Sequence, residues 1–195
     1  MKHVLGDLKT GLIFVLSAPA GTGKTTLVRM LTKEFDCVIE SISFTTRTMR
    51  PGEKEGKDYF FIDAKAFEAK IKKGEFLEHA KVFENYYGTS KVFVDEERKK
   101  GKHVILVIDT QGAMQLKEFL DATFIFISPP SLSELKTRLH ARRADSHESI
   151  AERLLWAEKE MTLAPLYDYH IVNDDLNIAY SVLRSILIAE EHKNR

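Results

Sequence analysis

The chain predicts an α/β fold of three layers, with helices covering both faces of a parallel core sheet. Leu12 to Leu16, Val104 to Ile108 and Thr123 to Ile127 are short apolar runs without polar alternation, as strands buried on both faces require. Helix-like segments lie between and after them, at Lys24 to Phe35, Leu132 to Arg143, Ser149 to Leu163 and Leu176 to Ala189. In the last, Leu176, Ala179, Tyr180, Leu183, Ile186 and Leu187 recur at helical spacing and form one apolar stripe. Alternation of such strands and helices indicates a doubly wound sheet.

At 195 residues the chain suits one domain with one or two inserted substructures. Apolar residues make up 44% and charged residues 30%, the balance of an ordinary globular protein. Lys plus Arg equals Asp plus Glu at 29 each, so no overall positive field gathers nucleic acid, and an anion site must be built locally. Cys37 is the single cysteine and no Cys/His group has zinc-ligand spacing, which points to a reducing, cytoplasmic setting with Cys37 as a packing residue. No apolar run approaches the roughly 20 residues of a membrane span, and the N-terminal residues do not read as a secretory signal. No membrane partner is expected.

Two stretches break the strand–helix rhythm. Residues 38–90 combine β-branched and aromatic residues with Gly52, Gly56, Gly74 and Gly88 and a charged turn at Pro51 to Asp58, and read as a small β-rich insertion. Residues 136–154 carry Lys136, Arg138, Arg142, Arg143 and Arg153 around a polar turn. The core is then residues 1–37, 91–135 and 155–195, and no repeat or linker divides the chain.

Directly after the first apolar run comes Ala18-Pro19-Ala20-Gly21-Thr22-Gly23-Lys24-Thr25, followed by Thr26 and a helical pattern. In such a strand–loop–helix the glycines let backbone N–H groups turn inward around phosphate oxygens, and the helix adds its positive end. Lys24 would bridge the β- and γ-phosphates and the Thr25 hydroxyl would be a Mg²⁺ ligand. This is a P-loop, and the fold class becomes that of the P-loop NTPases; the bland alternative is a glycine-rich turn that contains a lysine.

The loop does not say what accepts the phosphate. Ser43-Phe44-Thr45-Thr46-Arg47-Thr48-Met49-Arg50-Pro51-Gly52-Glu53 with Gly56-Lys57-Asp58-Tyr59 resembles the GMP-binding signature of the guanylate kinase family. The resemblance continues through Phe76-Leu77-Glu78, Asn85-Tyr86-Tyr87-Gly88-Thr89, Ile108-Asp109-Thr110-Gln111-Gly112, the Pro129-Pro130-Ser131 turn and Ile171-Val172-Asn173-Asp174, nearly the whole chain from about Gly11. It implies transfer of the γ-phosphoryl group of MgATP to GMP, with dGMP as a further acceptor. The 38–90 insertion is then the GMP-binding arm and residues 136–154 are the lid.

Arg47 and Arg50 can each present a planar fork to a phosphate dianion, and Tyr59 and Tyr87 can add O–H donors; a solvated basic turn beside core tyrosines is the other reading. Glu53 belongs to the same matched segment and joins the GMP set. Guanine offers N1–H and N2–H₂ donors beside an O6 acceptor, so its reader needs a carboxylate next to hydroxyl donors, and Glu78, Ser43 and Thr89 supply that set. By resemblance Glu78 accepts from N1 and N2, Asp109 assists and borders the metal region, and Ser43 and Thr89 address O6. Taken alone, Glu78 reads as a surface carboxylate. Adenine has no N1–H for such a carboxylate and would leave it unpaired, at about 1–3 kcal/mol.

Ser131 and Glu134 have capping-box spacing, so a helix begins there and carries Arg138 and Arg142 on one face, with Arg153 on the next helix. The resemblance makes these arginines lid residues that close on the phosphates; a charge-rich hairpin is otherwise a solvated surface. Asn173 matches a position near adenine and ribose, or alternatively belongs to a helix N-terminal turn. Departures from the common family pattern fall at Ala18, Ala20, Phe44 and Val107, the last where many relatives carry an acid. Competing functions are a kinase for another phosphate acceptor, such as a ribose bisphosphate, and a silent binding module that reuses the cleft. The Glu78, Ser43 and Thr89 set argues against the first and retention of Lys24 and the arginines against the second.

Overall fold

The computed structural model describes residues 4–82, 84–141 and 147–194. In chain order the elements begin with β1 (Ile13–Ser17), α1 (Lys24–Glu34) and β2 (Val38–Ser41). An inserted unit follows: β3 (Phe44–Thr45), β4 (Phe60–Phe61), α2 (Ala64–Lys72), β5 (Phe76–Val82) and β6 (Asn85–Ser90). The chain then returns through α3 (Lys91–Lys99), β7 (His103–Val107), α4 (Thr110–Lys117) and β8 (Thr123–Ser128). It ends with α5 (Leu132–Ala141), α6 (His147–Thr162), a 3₁₀ turn (Ala164–Leu166), β9 (Tyr169–Val172) and α7 (Leu176–Glu191).

The core sheet has the order β2-β7-β1-β8-β9 and every pairing in it is parallel. Its three central strands are the three apolar runs. Phe14, Leu16, Ile105, Ile125 and Ile127 face α1 and α7, where Leu27, Val28, Leu31, Ala179, Leu183 and Leu187 close one core. Ile13, Val15, Leu106, Phe124 and Phe126 face the opposite way, onto Val94 of α3, Ala113 and Leu116 of α4, and Tyr167. Both faces are therefore apolar, which is why these strands show no alternation. The α7 stripe is buried as its spacing predicts, with Leu176 and Tyr180 partly covered at its edge. Cys37 packs against the same core, and burial pushes its thiol pKa up, as suits a packing residue.

The insertion expected over 38–90 begins later. Val38–Ser41 is an edge strand of the core sheet, paired in register with His103–Leu106. With one neighbour and with Glu40 in its middle, it lacks the apolar run of a central strand. The inserted sheet, β4-β3-β6-β5, also carries a helix that its β-rich composition conceals. Asp63 caps α2 by accepting from the Ala66 N–H at 2.8 Å. Phe67 is fully buried and stacks on Phe76 at 4.5 Å and Tyr86 at 5.4 Å, giving the insertion its own aromatic core. Gly88 lies beneath these rings, where a Cβ would stand 3.0 Å from both Phe67 and Phe76.

A buried polar clamp ties the N-terminal segment to the last helix. Glu191 accepts from the Gly6 N–H at 2.9 and 3.0 Å, from the Asp7 N–H at 3.0 Å and from His103 Nε2 at 2.5 Å. His103 Nδ1 accepts from the Leu12 N–H at 3.0 Å, so the ring is neutral and its proton sits on Nε2. Burial works against the Glu191 charge, but these donors outweigh it and depress the carboxyl pKa. A carboxylate with a depressed folded pKa stabilises the fold above its unfolded value, about 4.3, and loses that stabilisation as pH falls through the folded value. Glu191→Ala leaves the His103 N–H and two backbone donors unpaired. We expect it to cost about 3 kcal/mol at neutral pH and to lower Tm by about 6–12 °C, with the gap to wild type narrowing under acid; thermal melts from pH 7 to pH 3 check this.

Among the described residues no helix is long and apolar enough to cross a membrane.

Candidate active site

The C-terminal ends of β1 and β7 open into a cavity of about 390 Å³ whose other walls are the inserted sheet and α6. Ligands of open parallel sheets bind at this end of the strands. From the loop after β1, Ala18, Ala20, Lys24 and Thr25 line the cavity. The rest of the loop shapes it from behind. Gly23 begins α1 with φ +91°, and a Cβ there would meet the Asn173 side-chain nitrogen at 2.6 Å. Gly21, at φ +96°, leaves room for Leu135 and Leu139 of α5. Thr22 is buried and its hydroxyl donates to the Pro19 carbonyl at 2.8 Å. Thr26, on α1, does not line the cavity.

Lys24 Nζ donates to the Ala18 carbonyl at 2.9 Å, so the alanine that replaces the usual glycine holds the lysine by its backbone. Burial lowers the Lys24 pKa, against the pull of Glu160, Asp109 and Glu40. Asp109 caps α4, its Oδ1 accepting from the Gly112 N–H at 2.9 Å and its Oδ2 from Gln111 Nε2 at 3.1 Å. Burial raises its pKa in spite of these bonds.

The insertion supplies Ser43, Arg47, Arg50, Glu53, Tyr59, Glu78 and Tyr87 to the same cavity. Arg47 is gripped bidentately by Glu53, at 2.6 and 3.0 Å, and Glu53 also accepts from the Arg50 N–H at 2.7 Å. The guanidinium lies 5.4 Å from the centroid of the Tyr59 ring, and Tyr59 meets Tyr87 edge to face at 5.8 Å. Burial opposes the Arg47 charge, but the Glu53 bond outweighs it and raises the pKa. The Arg50 guanidinium makes no hydrogen bond or ion pair among the described residues, though its charge acts on Glu53, and it lines the cavity.

Glu78 is 5% exposed. The antiparallel register of β5 and β6 sets it opposite Thr89, whose hydroxyl donates to Oε1 at 2.6 Å. A Cβ on Gly112 would stand 2.5 Å from Oε2, so the glycine of α4 gives the carboxylate its space. Burial pushes the Glu78 pKa up to about 7, with Asp109 adding to the rise and the Thr89 bond opposing it. Thr89 departs from the expectation that it addresses O6: it is fully buried, it does not line the cavity, and its one hydroxyl proton is committed to Glu78.

On the lid side, Ser131 caps α5 through the Glu134 N–H at 3.1 Å, as the capping-box spacing predicts. Arg138 does not line the cavity. It pairs with Glu134 at 2.9 Å and donates to the Asn173 carbonyl at 3.0 Å. The Asn173 side chain donates to the Thr22 carbonyl at 2.6 Å, so Arg138 and Asn173 brace the back of the loop. The cap of α7 is Asp175 instead, which accepts from the Asn177 and Ile178 N–H groups. Arg153 lines the cavity from α6; Arg142 lies outside the described residues.

A model of the guanylate kinase family matches residues 11–190. The chain belongs to the guanylate kinase family. It is 59% identical over 188 residues to a guanylate kinase of Protochlamydia amoebophila, covering 96% of this chain and 95% of the relative. A guanylate kinase of Chlamydia trachomatis is 48% identical over 182 residues, or 93% of this chain and 89% of that one. The crystal structure of guanylate kinase from Anaplasma phagocytophilum superposes with a TM-score of 0.78 at 38% identity, over 95% of this chain and 88% of its own. For a guanylate kinase the three-layer sheet, loop and insertion are the expected parts, and they share one cavity here.

Sequence reasoning missed Trp156 and Glu160, which line the cavity from α6. They follow Arg153 by three and seven residues and so share its helical face, a spacing that could have found them. Glu160 is partly buried, and burial pushes its pKa up to about 7 against the pull of Lys24.

Proposed function

We infer that this chain transfers the γ-phosphoryl group of ATP to GMP, giving ADP and GDP, with dGMP as a further acceptor. The observation that carries the reading is one cavity in which Lys24 and Thr25 of a phosphate loop face Arg47, Arg50 and Glu78 of the insertion. The donor's triphosphate lies along Ala18 to Thr26, with Lys24 on the transferred group. Arg47, Arg50, Tyr59 and Tyr87 take the acceptor's phosphate. Glu53 holds the Arg47 fork in the bidentate geometry that a phosphate dianion also satisfies. Glu78, oriented by Thr89, accepts from guanine N1–H and N2–H₂, with Ser43 as the hydroxyl left to address O6 and Asp109 at the donor edge.

The oxygen donors near Lys24, namely the Thr25 hydroxyl and the Asp109 carboxylate, suit Mg²⁺, a hard cation that keeps several waters. Among the described residues no group of three or more His, Cys, Asp or Glu could hold a metal ion, which fits a cation shared with the donor's phosphates. When bound, Mg²⁺ neutralises charge on the phosphate oxygens.

In-line transfer needs the acceptor oxygen aligned with the γ-phosphorus and positive charge on the equatorial oxygens. The acceptor's phosphate oxygen is already an anionic nucleophile, so no general base is required. Lys24 and Arg47 supply charge at once. Arg138 reaches the phosphates after leaving Glu134 and the Asn173 carbonyl, and Arg142 and Arg153 join it as residues 136–154 close over the cavity and exclude water. The core, arm and lid thus act as one domain over residues 1–195. A cytoplasmic setting goes with this reading, since the one cysteine is a free thiol.

Coupled ADP release with ATP and a panel of acceptors tests it. GMP and dGMP should be turned over and AMP, CMP and ribose phosphates should not. Turnover of another acceptor without turnover of GMP would end the proposal.

A further inference from the structure

Among the described residues four carboxylates line the cavity: Glu53, Glu78, Asp109 and Glu160. Three are already occupied. Glu53 is held by Arg47, Glu78 by Thr89, and both oxygens of Asp109 by Gly112 and Gln111. Glu160 alone among them has no side-chain hydrogen bond or ion pair within the described residues. An exposed carboxylate would find water, but this one is partly buried, and leaving it unpaired there is costly.

Its natural partner is Lys24, which feels Glu160 more strongly than any other acid, yet Lys24 Nζ donates to the Ala18 carbonyl at 2.9 Å and forms no ion pair. A cation and an anion are therefore held in one cavity, near each other and not joined. The Tyr167 hydroxyl, which feels the charges of Glu160 and Asp109, is buried beside Ser17. At the end of β7 the cavity is lined by the apolar Val107 and the following Ile108, and the first carboxylate after them is Asp109. A ligand that satisfies this arrangement brings anionic oxygens to Lys24 and hydrogen-bond donors on a positive centre to Glu160. A hydrated divalent cation on a nucleoside triphosphate has both.

We propose that Glu160 is a positioning residue for the metal–nucleotide complex, its carboxylate accepting hydrogen bonds from the water shell of the divalent cation carried by the donor. This rests on the phosphotransferase reading above. Glu160 touches no reacting atom.

The test is a binding measurement on the full chain, using calorimetry with a non-hydrolysable ATP analogue, with Mg²⁺ and separately in EDTA. Wild type should bind the metal-loaded analogue more tightly. Glu160→Gln should weaken the metal-loaded affinity about tenfold and change the metal-free affinity less than about twofold. Adding Val107→Asp to Glu160→Gln returns a carboxylate from β7 and should recover the metal-loaded affinity. Equal losses in both conditions would mark Glu160 as merely structural. Tighter metal-free binding with unchanged metal-loaded binding would mark it as a repulsive charge. Either result overturns the proposal, as does a wild type that binds the analogue equally with and without Mg²⁺. Turnover of GMP by the wild type, measured separately, shows whether the underlying reading stands in each case.

Discussion

Lys24→Ala is expected to lower kcat for GMP phosphorylation by about 10³-fold or more and to change GMP affinity less than about threefold. The lysine stands at the first turn of α1, where the helix N-terminus and the loop glycines already favour anions. A charge on this spot does most for the state in which negative charge spreads over the transferred group, so its loss falls on kcat and less on ground-state binding. The contacts proposed for the acceptor lie on other elements. Arg47 and Arg50 belong to the turn after β3, and Glu78 to β5, each held by bonds within the insertion. The fold should also survive, since Lys24 makes one side-chain bond, to a carbonyl of its own loop. Steady-state kinetics with ATP and GMP, together with calorimetry of GMP binding, check both halves. Unchanged kinetic constants would remove Lys24 from the mechanism, and a parallel collapse of GMP affinity would mean that it organises the whole cavity.

How far the sequence disclosed this molecule follows from where each signal is stored. The central strands were legible because burial on both faces leaves an unbroken apolar run, as at Phe124 to Ile127. The edge strands were not: β2 contains Glu40 and β9 alternates exposed His170 and Val172 with buried Ile171, so neither forms a run. The helices α2 and α3 each bury one apolar side chain fully, Phe67 and Val94, and a single buried position has no period to read. In the site, residues contiguous in sequence were legible by chemistry. The loop Ala18 to Thr25 and the Arg47 to Tyr59 turn suggest phosphate binding before any fold is known, and the fold brings both to one cavity.

What the sequence could not show was which groups those residues would already be holding. The Arg138 contact with Asn173 spans 35 positions and that of Asn173 with Thr22 spans 151, so the bracing of the loop exists only in three dimensions. Thr89 illustrates the same limit. A hydroxyl beside a carboxylate fits a guanine reader, but only the β5–β6 register reveals that the proton goes to Glu78. Glu160 lies beyond the lid residues in sequence, and only its helical spacing from Arg153 sets it apart from its exposed neighbours Glu158 and Lys159.

Glu78→Gln should lower kcat/KM for GMP by about 10²–10³-fold, chiefly through KM. The two charge-assisted bonds to guanine proposed for Glu78, worth about 1.5–3 kcal/mol each, would be replaced by an amide that presents its own N–H₂ to donors or turns it on Thr89. Glu78 Oε2 lies against Gly112, where a Cβ would stand 2.5 Å from it, so the side chain cannot move further toward α4. The wild-type pH profile carries a second signature of the same group. Guanine's donors need the ionised carboxylate, and burial holds the free enzyme's Glu78 at about 7. The protonated form therefore gains as pH falls through that value, and kcat/KM for GMP should drop toward tenfold per pH unit below it. In the glutamine variant this limb should vanish while the profile contributed by the substrate's own phosphate remains. Discrimination against the acceptor analogue lacking the 2-amino group should shrink in parallel, because the group that felt its absence is gone. A glutamine variant with an unaltered acidic limb would place the titrating carboxylate elsewhere in the cavity and take guanine reading away from Glu78.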